Sequence, residues 1–390
     1  MLNLARKWIR SSKAVPERSF TFEQPFVLLH SDDWGRVGVR DKEGYEQLRH
    51  SGILLGQHPY DLYTLETADD VLALRDMLKQ HRDYAGRSAC MVMNFLTANL
   101  DFPKMQAKEF QGIELCPLSN GLPGHWQRPG LLVAYRSGIA DGVFFPGLHG
   151  TTHFCRYAVE RALRQGGERA ELITTLWKAE TPYIYWRMPW IGYEYNNPEK
   201  PRAGFLAAEE QATLIAQAAE IFKDLFGTAA VTACAPGYRA NDDTRAAWAR
   251  AGVRIAQNGS GAPKPPHLDE YEMLHLHRII DFEPAQQELP LEKYLQLAQS
   301  CFANGLPVVI SVHSMNFHST LKNFRDATLR TLDALLKALE GKYPNLLYAT
   351  DSDLYEVVIR GRLRTAHGSI PVQVTQSASP SLKSMARGLR

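Results

Sequence analysis

Phe26-Val27-Leu28-Leu29-His30-Ser31-Asp32-Asp33-Trp34 holds the reading that decides the fold: four apolar residues in a row run straight into two adjacent carboxylates. The apolar run Phe26–Leu29 has the length of a buried strand, and the polar cluster Ser31-Asp32-Asp33 stands where that strand gives out. The pattern recurs along the chain. Met91–Leu96, Ala230–Cys234, Val253–Gln257, Leu274–Ile280, Pro307–His313 and Leu346–Ala349 are further strand candidates. Between them lie segments with helical apolar spacing at 69–80, 157–164, 170–179, 207–226, 244–251, 291–303 and 326–339. Short apolar strands alternating with helices predict a parallel α/β arrangement, open or closed into a barrel.

Composition agrees and excludes several classes. The 390 residues are 45% hydrophobic and 22% charged, the balance of a globular protein with a substantial core. A formal net charge of +2 gives no electrostatic ground for a nucleic-acid partner. No apolar run reaches the roughly 18 residues of a membrane span. The N-terminus is basic but has no apolar core of a secretory signal, so a cytoplasmic location is expected. Cys90, Cys116, Cys155, Cys234 and Cys301 are widely spaced with no CxxC and read as reduced thiols. The ordered part is expected to begin near Phe20, after a basic segment 1–20. A Pro- and Gly-rich stretch, 98–148, reads as an elaborated loop insertion. The Ser-, Pro- and Arg/Lys-containing end, 361–390, is expected to be disordered.

In a parallel α/β sheet the carboxyl ends of the strands share one face, so residues distant in sequence converge there. Four polar groups sit at or near such positions. Asp32 and Asp33 cannot both stay ionised cheaply without a cation nearby, which favours one as metal ligand and the other as base. A helix N-cap or an acidic surface turn is the plain alternative. His149-Gly-Thr-Thr-His153 spaces two imidazoles at i and i+4, close enough to share an ion. Position 150 is Gly, so the Glu of a zincin HExxH motif is missing. Asp33, His149 and His153 together would offer two nitrogens and a carboxylate and leave one position open, the pattern of a catalytic zinc site. Pro236-Gly237-Tyr238-Arg239 forms a turn able to aim a backbone N–H at an oxyanion, or is an ordinary strand-to-helix turn. His313 closes the apolar strand 307–313, followed by Asn316 and His318.

These residues, in this order, resemble the polysaccharide deacetylase family, the NodB-homology carbohydrate esterases of family four. Ser31-Asp32-Asp33 is similar to its Asp-Asp motif and His149-Gly-Thr-Thr-His153 to its H-[ST]-x-x-H motif. Pro236-Gly237-Tyr238 is similar to its Arg-x-Pro-aromatic motif, and Val309–His313 to its late apolar strand ending in His. The match spans roughly 26–357. The resemblance implies a distorted (β/α) barrel of about seven parallel strands, over 21–360, and one divalent metal, most often Zn2+. It implies Asp32 as general base, His313 as general acid, Asp33, His149 and His153 as metal ligands, and the Tyr238 N–H as oxyanion donor.

The sequence also departs from the family. From Asp33 to His149 is 149 − 33 = 116 positions, longer than is usual there. The Arg expected two residues before Pro236 is Cys234, with Arg239 a substitute for orienting Asp32. No Asp-x-x-Asp-Trp motif is found, and Asp281 is the candidate partner of the acid. Trp34 and the aromatic segment Tyr183–Tyr195 are candidates for stacking on a sugar, against satellite packing as the alternative. The expected function is a metal-dependent hydrolase that removes an acetyl group from an N-acetylated sugar or glycan intermediate. Hydrolysis of another C–N bond (a cyclic amide, ureide or formamide) and an inactive carbohydrate-binding barrel are the competing readings. The oligomeric state is not fixed by the sequence.

Overall fold

The computed structural model describes residues 17–199, 204–287, 289–365 and 368–379. Strands β1 (Glu17–Phe22), β2 (Phe26–Trp34), β3 (Met91–Phe95), β4 (Ala98–Leu100), β5 (Leu115–Pro117) and β6 (Phe144–Leu148) come first. The middle of the chain adds β7 (Thr232–Cys234), β8 (Ile255–Asn258), β9 (His267–Leu268), β10 (Leu274–His277) and β11 (Ile280–Asp281). β12 (Val308–His313), β13 (Leu347–Tyr348), β14 (Arg362–Thr365), β15 (Gly368–Pro371) and β16 (Val374–Ser379) complete it.

The main sheet has the order β11-β12-β2-β3-β6-β7-β8-β10-β9-β1-β16, with β13 also on β2. From β11 to β10 every pairing is parallel, and β9, β1 and β16 extend the sheet antiparallel. This is a mixed α/β fold. β2 is buried at all nine positions and β3 at all five, as parallel strands covered on both faces must be. Helices over Ala208–Phe226 and Asp242–Arg250 cover one region through Leu214, Ile215, Phe222, Ala247 and Trp248. Burial contributes about 1.5–3 kcal/mol for each large apolar side chain.

Only Arg278 and Ile279 separate β10 from β11. The Arg278 N–H donates to the Asn258 carbonyl at 3.2 Å, while the Ile279 N–H donates to Val309 at 3.0 Å. One short stretch of chain is therefore hydrogen-bonded to both ends of the parallel run. It also carries Arg278 into the interior.

Several expectations need correction. β2 does not end at Leu29 but runs through both carboxylates to Trp34. The stretch 98–148 is no plain loop insertion: it holds a small hairpin, helices Phe102–Ala107 and Leu131–Ala140, and β6 of the main sheet. Pro146 and Gly147 hide β6 from an apolar-run reading, and Gly147 is there because a Cβ would stand 2.2 Å from Asn94 Oδ1. Of the stretch 361–390, where disorder was expected, Arg362–Thr365, Gly368–Pro371 and Val374–Ser379 form strands. β14 pairs with β15, and β16 pairs with β1 over six residue pairs from Glu17↔Ser379 to Phe22↔Val374. Phe20, Phe22 and Leu363 are buried in one apolar cluster with Ile370 and Val374 packed against it, so apolar burial backs the strand pairing here. Residues 1–16 and 380–390 lie outside the described residues. Among the described residues no helix is long and apolar enough to cross a membrane.

Candidate active site

Adjacent residues of a regular strand point to opposite faces, yet Asp32 and Asp33 line the same cavity. The reason is local. The β2–β3 register breaks between Ser31 and Trp34, and Asp33 adopts φ 72°. Left-handed backbone costs a non-glycine residue about 1–2 kcal/mol, and Asp is among the residues that tolerate it. The irregularity turns Asp33 in beside Asp32. Across the neighbouring strand, His313 is the register partner of Asp32, so both proposed proton carriers sit side by side.

Asp33 Oδ1 lies 3.6 Å from His149 Nε2 and 3.5 Å from His153 Nε2. It is buried and has no hydrogen-bond partner among the described residues. His149 Nδ1 donates to the Cys234 carbonyl at 2.9 Å, which leaves Nε2 facing the carboxylate and fixes the ring as second partners of metal-ligating histidines do. Burial pushes the His153 pKa down to about 3, so its ring is neutral. Burial also opposes a charge on Asp33, but the Arg36 guanidinium foremost holds its carboxyl well below the ordinary value. An anionic oxygen with no donor, flanked by two imidazole nitrogens, fits a divalent cation. Asp32, His149 and Cys234 also lie within reach of one ion. That set fits less well, because burial raises the Cys234 thiol pKa and Asp32 is already paired.

Asp32 meets Arg278 in a two-pronged pair, Nη1 to Oδ2 and Nη2 to Oδ1, both 2.6 Å. Burial favours the neutral acid, but Arg278 foremost among its neighbours holds the carboxyl far below its ordinary value. Asn94 Nδ2 donates to Asp32 Oδ1 at 2.7 Å. Behind them Gln257 accepts from Asn94 at 2.7 Å and Arg278 at 2.9 Å, and donates to Asp351 at 2.8 Å; His30 Nε2 lies 2.7 Å from Asp351. The interior under Asp32 is thus a buried polar network that fixes the orientation of its carboxylate, although His30 Nδ1 and Arg278 Nε have no partner among the described residues.

His313 Nδ1 lies 2.5 Å from Glu283 Oε1, and Asn316 Nδ2 donates to Glu283 Oε2 at 2.6 Å. Burial lowers the His313 pKa, but Glu283 outweighs it and the ring is raised to about 9. Glu283, not Asp281, is the carboxylate partner of this His. Asp281 is exposed and accepts from Ser260. His318 is buried against Glu66, away from the cavity.

Arg278 likewise displaces Arg239, which is exposed and stands over the Tyr193 ring at 6.0 Å. Trp34 is not a sugar platform: it is fully buried and stacked on Phe317. Strand direction sends it into the core although it adjoins Asp33. The Tyr238 N–H is taken by the Ala235 carbonyl at 2.8 Å, and its hydroxyl accepts from Arg278 at 2.8 Å. Gly237 lines the cavity. Of the aromatic segment, Tyr183, Tyr185, Trp186 and Tyr193 line the cavity, whereas Trp190 and Tyr195 do not.

The Gly at position 150 also has a structural cause. Its φ is 89°, and a Cβ would lie 2.0 Å from Glu194 Oε2. That buried carboxylate accepts the N–H groups of Thr151 and Thr152 at 2.9 to 3.1 Å and so holds the turn between the two imidazoles.

No family profile and no curated protein matches the sequence. Among solved structures the chain is similar to a protein of Mycobacterium smegmatis provisionally named a polysaccharide deacetylase, at 12% identity and TM-score 0.47, over 89% of this chain and 95% of that one. It is also similar to a family 4 carbohydrate esterase from Streptomyces lividans, at 11% identity and TM-score 0.34, over 84% and 92%. A 4-alpha-glucanotransferase from Thermococcus litoralis matches at 9% identity and TM-score 0.43, over 85% of this chain and 40% of that one.

Proposed function

We propose that the chain is a metal-dependent hydrolase that removes the acetyl group from an N-acetylated sugar. One observation carries the reading: a paired base, a paired acid and a three-donor cation site open into the same cavity of about 240 Å3. A divalent cation, in this reading Zn2+, held by Asp33, His149 and His153 supplies Lewis acidity at the substrate carbonyl. The remaining work falls to the chain itself. Asp32, kept ionised by Arg278, takes a proton from the attacking water. His313, kept protonated by Glu283, gives one to the departing amine. The Gly237 N–H, in place of Tyr238, donates to the developing oxyanion. We also read the parallel run as a ring of seven strands, with Leu274–Asp281 as one strand bonded to both β8 and β12.

The test is acetate release from a panel of N-acetylated sugars and sugar nucleotides by zinc-loaded protein. Wild type is expected to turn over at least one of them, and Asp32→Asn to lose about 10²–10⁴-fold in kcat. Zinc-loaded protein that releases no acetate from the whole panel would end this reading.

A further inference from the structure

The aromatic residues at the cavity do more than line it; they form a connected fence. Starting at His153, ring contacts pass to Tyr193 at 5.6 Å and on to Tyr185 at 5.8 Å, where the two hydroxyls also lie 2.5 Å apart. Tyr185 meets Trp186 at 5.7 Å, and Trp186 meets His58 at 4.2 Å. His58 continues to Tyr60 at 6.4 Å, and Tyr60 ends the series against His313 at 6.3 Å. Two separate segments build it, the turn around Pro59–Leu62 and the segment after Tyr183, joined by the Trp186–His58 contact. Below the fence, the Arg36 guanidinium stands 3.7 Å over Tyr63 and donates to the Tyr183 hydroxyl at 2.5 Å, tying the same two segments together. The barrier therefore runs from one proposed metal ligand to the proposed acid without a break.

A polysaccharide chain deacetylated at an internal unit must enter the site on one side and leave on the other. The fence closes one of those sides. The space inside is about 240 Å3, below the about 300–1,000 Å3 that drug-sized ligands occupy. It suits one ring with its acyl group, and its walls offer aromatic faces to a sugar's C–H groups. We propose that the site takes one sugar unit at a time, either free, carried on a leaving group, or at the end of a chain, and excludes internal units. This inference rests on the deacetylase reading.

The experiment uses the full zinc-loaded protein with the free N-acetylhexosamines, UDP-N-acetylglucosamine and the tetramer of β-linked N-acetylglucosamine, mapping by mass spectrometry which unit of the tetramer loses acetyl. Binding of the same probes is followed in parallel by Trp fluorescence on Asp32→Asn protein. Loss confined to a terminal unit or to the single sugars is expected. Trp186→Ala and His58→Ala are expected to raise loss at internal units relative to the single sugars by about a hundredfold, the order that one steric misfit imposes. Wild type that deacetylates or binds internal units as well as terminal ones overturns the inference and leaves the deacetylase reading intact. Protein that neither binds nor hydrolyses any probe overturns both.

Discussion

Asp32 and His313, the two proposed proton carriers, each face one charged partner of opposite sign at hydrogen-bond distance, Arg278 and Glu283, and that partner sets the charge. For His313 the sign is direct. Glu283 raises its pKa to about 9 against burial, so the protonated ring persists through neutral pH and is lost as pH rises past that value. The pH profile of kcat should accordingly fall on its alkaline side near pH 9. Glu283→Gln removes the foremost of the charges that offset burial, ahead of Asp33 and Asp32, and the alkaline limb should move down by about one unit or more, each unit being about 1.4 kcal/mol. An unmoved limb would remove His313 from the role of acid. Asp32 depends on Arg278 in the opposite sense. Arg278→Met strands a buried carboxylate and should cost about 3–5 kcal/mol in urea unfolding, with kcat falling too. Arg239→Met, on an exposed residue, should leave stability within about 0.5 kcal/mol.

At the scale of elements, the turn from His149 to His153 is shaped by a residue 43 positions beyond Thr151 in sequence. Glu194 accepts both Thr N–H groups and occupies the space a side chain at position 150 would need. Gly150→Ala should therefore destabilise the fold by about 1–3 kcal/mol and weaken zinc binding measured by competition with a chromogenic chelator. Unchanged zinc affinity would mean that the turn does not set the ligands. The same comparison of elements explains what was legible beforehand. Leu291–Ala303 and Ala208–Phe226 carry helical periodicity over many residues, and β2, β3 and β12 each begin with a run of at least three apolar residues, so pattern alone reveals them. β6 is interrupted by Pro146 and Gly147, and β16 is held by backbone pairing to β1, so neither has an apolar signature. The two carboxylates and three histidines of the site were legible because they stand at or beside strand exits in a fixed order. Arg278 was not: it lies inside what reads as one apolar strand and reaches a partner 246 positions away. Glu283 carries no motif, and Asp281 stands nearer the strand. Trp34 misled because adjacency to Asp33 says nothing of direction.

Over the whole molecule, a cation at Asp33, His149 and His153 would join β2 to the loop after β6, two strands that are not hydrogen-bonded to each other but flank β3. A ligand that binds the folded chain and not the unfolded one stabilises it by mass action, by about 2.7 kcal/mol at a hundredfold excess over its Kd. Zinc should therefore raise Tm in thermal unfolding, and a chelator should lower it. Asp33→Ala removes the anionic donor and should abolish that zinc-dependent shift, together with the single ion per chain that elemental analysis should find in wild type. Asp32→Asn provides the contrast, since its carboxylate answers to Arg278 and not to the cation; the variant should keep the zinc-dependent shift while losing turnover. A zinc shift that survives in Asp33→Ala but disappears in Asp32→Asn would transfer the cation to the Asp32, His149 and Cys234 group and reverse the assignment of the two carboxylates.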